Sequence, residues 1–228
     1  MLNRHDFIAF LRYPNLTREQ YNIDNIVSVI RLVGKAYLYY YLVAFTFTLT
    51  IVLILHLLGL MDLYPKYKPI DPNALNIFKI IIVAPIFEEL IFRLPLKFSK
   101  INITISVGLF LYLITRKIDI ILAVTVTVLF LSFMILSLRK RSDFQPGTKQ
   151  LFNKYFHLIF YFQALFFGFL HLSNFYLDFR YFYIFPLFIF TYVFMGCIAG
   201  YLRVRYTNGL YACILLHMFM NCISCLVH

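Results

Sequence analysis

Long apolar runs separated by short polar segments make up most of this chain. A helix needs about 20 consecutive apolar residues to cross the hydrocarbon core of a bilayer. The pattern therefore predicts an all-α fold, a polytopic transmembrane helical bundle of about seven spans, with six to eight as the range. The predicted spans cover residues 36–60, 75–96, 101–115, 119–138, 156–175, 181–201 and 209–227, and a basic loop is expected at 139–149.

The first 35 residues differ from the rest because they mix charges with scattered apolar residues. The apolar residues 7–11, followed by Arg12 and Pro14, are typical of a short interfacial helix. The first long apolar run begins near Ala36, too far from the start for a cleaved secretory signal. We therefore predict an N-terminal cytoplasmic or interfacial segment at 1–35 and a transmembrane domain at 36–228.

Composition supports a membrane protein and argues against a nucleic-acid partner. The chain is 62% hydrophobic and only 14% charged, against about 25% charged residues in soluble domains. Its net charge of +11 comes from basic residues in the short segments between apolar runs. That distribution is typical of membrane orientation and predicts a cytoplasmic N-terminus, with the lipid bilayer as the surrounding partner.

Two adjacent glutamates lie inside the second predicted span. Ionisable side chains are costly in hydrocarbon, so Glu88 and Glu89 are functional candidates. Glu89 and Arg93 are four positions apart and share a helix face, which favours an ion pair. Glu88 is rotated by about 100° from Glu89, so we expect it to face a cavity, beside a kink at Pro85. A purely structural polar cluster that locks helices together remains the alternative.

Two further polar pairs lie on separate spans: Phe167 with His171, and His217 with Asn221, each four positions apart. A single intramembrane histidine is often only an interhelical contact. Together with Glu88, however, these residues supply the parts of a hydrolytic site. The glutamate can take a proton from water while His171 helps to hold that water. His217 and Asn221 can donate hydrogen bonds to the developing oxyanion.

Zinc is the competing chemistry, because two histidines and a glutamate are ligands of catalytic zinc. The sequence has no HExxH motif, and each ligand would come from a different helix. We therefore favour a metal-free site without a cofactor. Cys222 and Cys225 form a CxxC pattern inside the last apolar run, which we interpret as packing rather than as redox or metal chemistry.

Taken together, the three polar motifs resemble the CPBP intramembrane protease family, also called Abi proteins, which includes the type II CAAX prenyl endopeptidases. That family carries EExxxR, FxxxH and HxxxN or HxxxD on different transmembrane helices. The resemblance extends over about residues 75–227, so that the domain 36–228 is expected to be CPBP-like. The motifs read, in order, Glu88-Glu89-x-x-x-Arg93, Phe167-x-x-x-His171 and His217-x-x-x-Asn221.

The resemblance implies a glutamate-dependent endopeptidase that hydrolyses a peptide bond near the membrane surface, in a bacterial cytoplasmic membrane. Glu88 and His171 would activate water, and His217 and Asn221 would form the oxyanion site. The supporting residues would be Glu89, Arg93 and Phe167. The substrate would be a membrane-associated peptide or protein, with or without a lipid group.

The interval between Glu88 and His171 is longer than the family pattern suggests and contains two apolar runs. An inserted pair of spans keeps the two motif helices antiparallel, so the site can still assemble. Two other classes of function stay open. One is a non-catalytic bacteriocin-immunity, scaffold or binding protein that uses the same polar cavity. The other is a proton-coupled transporter, which is disfavoured because no internal repeat is visible.

Overall fold

The protein is a bundle of apolar helices, as the sequence predicts. The computed structural model describes residues 3–16, 20–23, 25–64, 66–69, 73–140, 144–176 and 178–227. Within these ranges, four helices are long and apolar enough to cross a membrane: Ile26–Leu57, Phe156–Asn174, Arg180–Arg205 and Gly209–Leu226. Two shorter apolar helices cover Lys100–Thr115 and Ile120–Met134. The helical membrane bundle is thus confirmed, whereas the number of seven spans stays a prediction.

The N-terminal part forms two helices, α1 (Arg4–Arg12) and α2 (Ile26–Leu57). Each begins at an asparagine whose side chain accepts a backbone N–H of the first turn, Asn3 in α1 and Asn25 in α2. In α2 this cap stabilises a helix start at Ile26, well before the apolar run that begins near Ala36. Helix α1 packs into the bundle through Phe7 and Phe10, which are buried. The division at residue 35 stays a prediction.

The helix of the two glutamates is interrupted near its middle. It consists of α3 (Ala74–Phe78), a π-helical turn (Lys79–Val83) and α4 (Ala84–Phe92). Pro85, at the start of α4, lacks an N–H and would collide with the carbonyl of a regular turn. The wider π-helical turn accommodates this proline, and such turns are frequent at functional sites. The kink expected at Pro85 therefore takes the form of a π-helical turn.

Among the described residues, three α-helices lie between the glutamate helix and the helix of the first histidine motif. Helix α5 (Lys100–Thr115) packs against α4, and α6 (Ile120–Lys140) packs against α5. The loop expected at 139–149 is wrong in part, because α6 continues to Lys140 and a further helix, α7, covers Pro146–Lys154. Pro146 explains the new helix, since proline is favoured in the first turn. Residues 141–143 of the predicted loop lie outside the described residues.

Two of the last three helices, the first and the third, carry the histidine motifs. The three helices are α8 (Phe156–Leu170), α9 (Phe185–Arg205) and α10 (Gly209–Val227). Helix α8 is followed by a 3-10 turn, His171–Asn174, and α9 is preceded by another, Phe179–Ile184. Helices α8 and α9 approach closely, because a Cβ at Gly168 would collide with the Val193 side chain. This close packing holds the end of α8 in place.

The segments that connect the helices contact one another at the two ends of the bundle. At one end, strand β1 (Lys66–Tyr67) pairs antiparallel with β2 (Phe175–Tyr176). At the opposite end, the amide of Tyr21 donates to the carbonyl of Arg205 over 2.6 Å. Lys97 at that end donates from Nζ to the carbonyl of Tyr206 over 3.2 Å. The N-terminal segment, Lys97 and the end of α9 therefore meet at one end of the bundle.

Candidate active site

Three polar side chains from different helices converge at one point. Glu88 comes from α4, His171 follows the last residue of α8, and His217 lies in α10. Oε2 of Glu88 lies 3.7 Å from Nε2 of His171 and 3.8 Å from Nε2 of His217. These distances are too long for direct hydrogen bonds, but one water molecule can bridge groups at such spacing. The side chain of Glu88 is 29% exposed, the most accessible of the three.

Glu89, the neighbour of Glu88 on α4, is completely buried. Its Oε2 lies 3.3 Å from Nε of Arg93, in the ion pair that the helical spacing predicts. Its Oε1 lies 2.9 Å from Nδ1 of His217. Spacing along one helix cannot reveal this second contact, because His217 is on another helix. Glu89 therefore connects the first motif to the third.

The hydrogen bonds of the two histidines fix which ring nitrogen faces Glu88. Nδ1 of His171 lies 2.8 Å from the carbonyl oxygen of Phe167. A carbonyl can only accept, so Nδ1 carries the hydrogen and Nε2 presents a lone pair to Glu88. Nδ1 of His217 likewise donates to Glu89, because a carboxylate paired with Arg93 is an acceptor only. In both histidines Nε2 is the atom directed at Glu88.

Phe167 forms the apolar centre around which the polar groups are arranged. Its side chain is fully buried, and its ring centroid lies 4.4 Å from that of His171 and 5.6 Å from that of His217. The guanidinium of Arg93 lies 4.8 Å from the centre of the same ring. A cation over an aromatic face is favourable, more so where water is excluded. Phe167 thus contacts members of all three motifs.

Asn221 lies one helical turn beyond His217 and contacts the interrupted helix. Its Nδ2 donates to the carbonyl of Ile80 over 2.8 Å. Ile80 belongs to the π-helical turn, where regular backbone hydrogen bonds are rearranged. Asn221 therefore supplies a donor to a carbonyl of that turn, and its amide group carries a second hydrogen.

The end of α4 is held by an arginine that lies outside the three motifs. Arg203, in the last turn of α9, donates from Nε to the carbonyl of Arg93 over 3.0 Å. It also donates from Nη2 to the carbonyl of Leu94 over 3.4 Å. The last carbonyls of a helix have no partner within the helix, so a buried guanidinium there acts as a C-terminal cap. In the sequence, Arg203 is a basic residue between two apolar runs and belongs to no motif.

A second contact that the sequence did not reveal involves Tyr192 in α9. Its ring stacks on the imidazole of His171, with centroids 4.4 Å apart and an angle of 25° between the planes. Tyr192 carries no motif and lies within a run of aromatic residues, so no sequence signal distinguishes it from a packing residue.

Glu88, His171 and His217 are also of the residue types that bind zinc. Each offers one ligand atom, and these atoms lie within 4.8 Å of one another. The bonds of Nδ1 to the carbonyl of Phe167 and to Glu89 would orient the two imidazoles, as in known zinc sites. The residue set therefore fits zinc by type. The separations of 3.7 and 3.8 Å exceed what two zinc bonds of about 2.0–2.1 Å allow in tetrahedral geometry.

Comparison with known proteins agrees with the motifs. The family model of the Rce1-like type II CAAX prenyl endopeptidases matches residues 70–223, about two thirds of the chain. No curated protein and no solved structure matches this sequence. The chain belongs to the Rce1-like type II CAAX prenyl endopeptidase family. It is therefore an integral membrane protein of a protease family whose members act on membrane-associated protein substrates.

Proposed function

We propose that this protein is an intramembrane endopeptidase in which Glu88 activates a water molecule. The observation that carries the proposal is the convergence of Glu88, His171 and His217. Oε2 of Glu88 lies 3.7 and 3.8 Å from the two Nε2 atoms and has no direct hydrogen-bond partner among the described residues, so one bridging water would satisfy it. Glu88 is accessible while Glu89 is held by Arg93 and His217. Of the two adjacent carboxylates, Glu88 is thus the one that is able to meet water and substrate.

In the proposed reaction, a water molecule lies between Glu88 and His171. As its oxygen forms a bond to the carbon of the scissile carbonyl, its proton passes to Oε2 of Glu88. The lone pair on Nε2 of His171 accepts the second hydrogen bond of that water and orients it. Collapse of the tetrahedral intermediate breaks the C–N bond, and the proton held by Glu88 passes to the departing amine.

The negative charge on the carbonyl oxygen needs hydrogen-bond donors during this step. We assign that role to His217 and Asn221, which lie one turn apart on α10. The second amide hydrogen of Asn221 is suited to this role, and Nε2 of His217 donates when the imidazole is doubly protonated. Donors of this kind typically supply the largest electrostatic contribution to acyl transfer. Glu89, Arg93 and Phe167 support the site by fixing the positions of these groups.

We propose that the reaction is independent of metal. The spacing of the three side chains suits a shared water better than a shared zinc ion. If zinc does bind here, Glu88, His171 and His217 would hold it, and it would supply an acidified water. The two possibilities differ in their response to chelators.

The proposed substrate is a membrane-associated peptide or protein, with or without a lipid group, cleaved near the membrane surface. The family of the chain and its apolar helices support this choice. We further propose a bacterial cytoplasmic membrane, with the N-terminus in the cytoplasm. The basic residues that cluster at one end of the bundle support that orientation.

The proposal is tested with the protein reconstituted in liposomes and two internally quenched CAAX peptides, one farnesylated and one not. Glu88→Gln keeps the shape of the side chain and removes the base. We expect kcat to fall by about 10²–10⁴-fold with no change in thermal stability. Asp62→Asn, the same chemical change in an exposed residue of the short 3-10 helix Met61–Leu63, is the matched control and should keep full activity.

Two outcomes would contradict the proposal. One is equal cleavage by the wild-type protein and Glu88→Gln. The other is the absence of cleavage of both peptides by folded wild-type protein, which would favour the non-catalytic immunity or binding protein. Comparison of the two peptides separately decides whether a lipid group is required.

A further inference from the structure

We propose that Tyr192 is a positioning residue that holds the imidazole of His171 in its working orientation. This inference rests on the proposed function, in which His171 orients the attacking water. Tyr192 belongs to none of the three motifs, and its ring stacks on the imidazole of His171. We therefore expect it to act on the reaction through His171.

His171 needs external support because of its place in the chain. It is the first residue after α8, where the helix changes into a 3-10 turn. Its Nδ1 bonds to the carbonyl of Phe167 within its own turn, so that contact moves with the end of the helix. A side chain at a helix end has fewer helical neighbours to limit its rotation. The direction of Nε2 towards Glu88 therefore depends on what lies against the ring.

Two aromatic rings lie against the imidazole. Phe167 lies on one side at a centroid distance of 4.4 Å and a tilt of 49°. Tyr192 is stacked at 4.4 Å and 25°. Rotation of the imidazole about χ2 would drive its edge into the stacked ring of Tyr192. Offset stacking of this kind is also favourable in itself.

Tyr192 is in turn fixed from the end of the bundle. Its ring meets the edge of Phe175 at 6.2 Å, and its hydroxyl lies near the side chains of Tyr67 and Asn174. Tyr67 and Phe175 are paired across β1 and β2, and their ring centroids are 4.4 Å apart. The segment between α2 and the glutamate helix is thus connected to His171 through Phe175 and Tyr192.

The residue that follows β1 makes further hydrogen bonds to the turn that begins at His171. The backbone amide of Lys68 donates to the carbonyl of Asn174 over 2.9 Å, and its Nζ donates to the carbonyl of Ser173 over 2.8 Å. Both carbonyls belong to the 3-10 turn that begins with His171. The two-stranded sheet therefore restrains the backbone of this turn, while Tyr192 restrains the imidazole.

The experiment compares variants that keep or remove the stacked ring. Tyr192→Phe keeps the ring and loses the hydroxyl, whereas Tyr192→Leu removes the stack. Tyr183→Leu is the matched control, because Tyr183 is exposed at the same end of the bundle. The readouts are kcat and KM on the quenched CAAX peptides, and the ¹⁵N NMR signals of histidine-labelled protein. The signals of His171 are assigned by their loss in His171→Gln.

We expect Tyr192→Leu to lower kcat by about 10–100-fold, since small misplacements of catalytic groups have effects of this size. KM should change by less than about threefold. The ¹⁵N signals of His171 should change from a single Nδ1–H tautomer to an average of two tautomers. Tyr192→Phe should restore a single tautomer and most of kcat, and Tyr183→Leu should match the wild type.

The NMR signals need no turnover, so they test Tyr192 even if the protease proposal fails. A single unchanged tautomer of His171 in folded Tyr192→Leu would overturn the positioning role, whatever its activity. Full activity of Glu88→Gln would instead overturn the proposed function alone. If Tyr192→Leu does not fold, Tyr192→Met, which is similar in length and lacks a ring, takes its place with the same expected result.

Discussion

Nδ1 of His217 donates a hydrogen bond to Oε1 of Glu89 across 2.9 Å, in a part of the bundle closed to solvent. This bond separates the roles of two neighbouring glutamates. Glu89 is completely buried between Arg93 and His217, whereas the side chain of Glu88 is 29% exposed. In the proposed mechanism, Glu89 therefore supports the structure of the site and Glu88 carries out the chemistry.

Removal of only one partner of the buried ion pair between Glu89 and Arg93 should destabilise the protein strongly. Arg93→Met leaves the Glu89 carboxylate buried without its cation. We expect the free energy of unfolding to fall by about 3–5 kcal/mol. Thermal and denaturant unfolding in detergent, followed by the loss of helical circular dichroism, measures this change.

The double variant Glu89→Gln/Arg93→Met is the matched control for that prediction. It removes both charges, so it should be more stable than Arg93→Met alone. Arg31→Met, at an exposed position on α2, should change stability by less than about 0.5 kcal/mol. A double variant that is less stable than Arg93→Met would argue against an isolated buried carboxylate as the cause.

Asn221 should contribute to both structure and catalysis. Asn221→Ala leaves the carbonyl of Ile80 without its side-chain donor, and we expect stability to fall by about 1–3 kcal/mol. Loss of the proposed oxyanion donor should lower kcat by about 10²–10³-fold. The partly buried Cys222→Ala on the next position of α10 should have little effect on either. If Asn221→Ala loses stability and keeps kcat, the amide serves the π-helical turn only.

The close contact of α8 with α9 should determine the position of His171. An alanine at Gly168 would place its Cβ against the side chain of Val193, and 3.3 Å from the backbone nitrogen of the same residue. We expect Gly168→Ala to lower stability by about 1–3 kcal/mol. It should also lower kcat, because the clash displaces α8 at residue 168, only three positions before His171. Unfolding and peptide cleavage are measured on the same preparation.

The matched test of this steric explanation is the double variant Gly168→Ala/Val193→Ala. It removes the obstructing methyl groups and should recover part of the lost stability and activity. Gly34→Ala, where a Cβ meets nothing within 4 Å, should leave activity unchanged and stability equal or higher by up to about 1 kcal/mol. If the double variant recovers no activity, the clash with Val193 is not the cause of the loss.

The activity should be independent of metal. Incubation with 1,10-phenanthroline should leave the cleavage rate of the quenched CAAX peptides unchanged, and purified protein should contain less than stoichiometric zinc. The physical reason is the separation of Glu88 from both imidazoles, which suits a bridging water. Loss of activity that added zinc restores, with binding abolished in His171→Gln, would establish the zinc mechanism instead.

Local patterns in the sequence were sufficient to identify the class of fold and the motif residues. Apolar runs of membrane length predicted the helical bundle, and i, i+4 spacing predicted the pair of Glu89 and Arg93. The same patterns placed His171 inside a span at 156–175, which agrees with the apolar helix Phe156–Asn174, but they did not show that α8 changes into a 3-10 turn at His171. They also treated part of α7 as a loop, because a short amphipathic helix lacks a long apolar run.

By itself, the sequence determined that this is an all-α membrane protein with three polar motifs on separate helices, because hydrophobicity and helical periodicity are properties of neighbouring residues. Only the tertiary structure decided which glutamate faces the histidines, what Asn221 binds, and that Tyr192 lies on His171. Those contacts join residues far apart in the chain. They depend on how the helices are shifted and rotated against one another, as at Gly168 and Val193, and on the π-helical turn before Pro85.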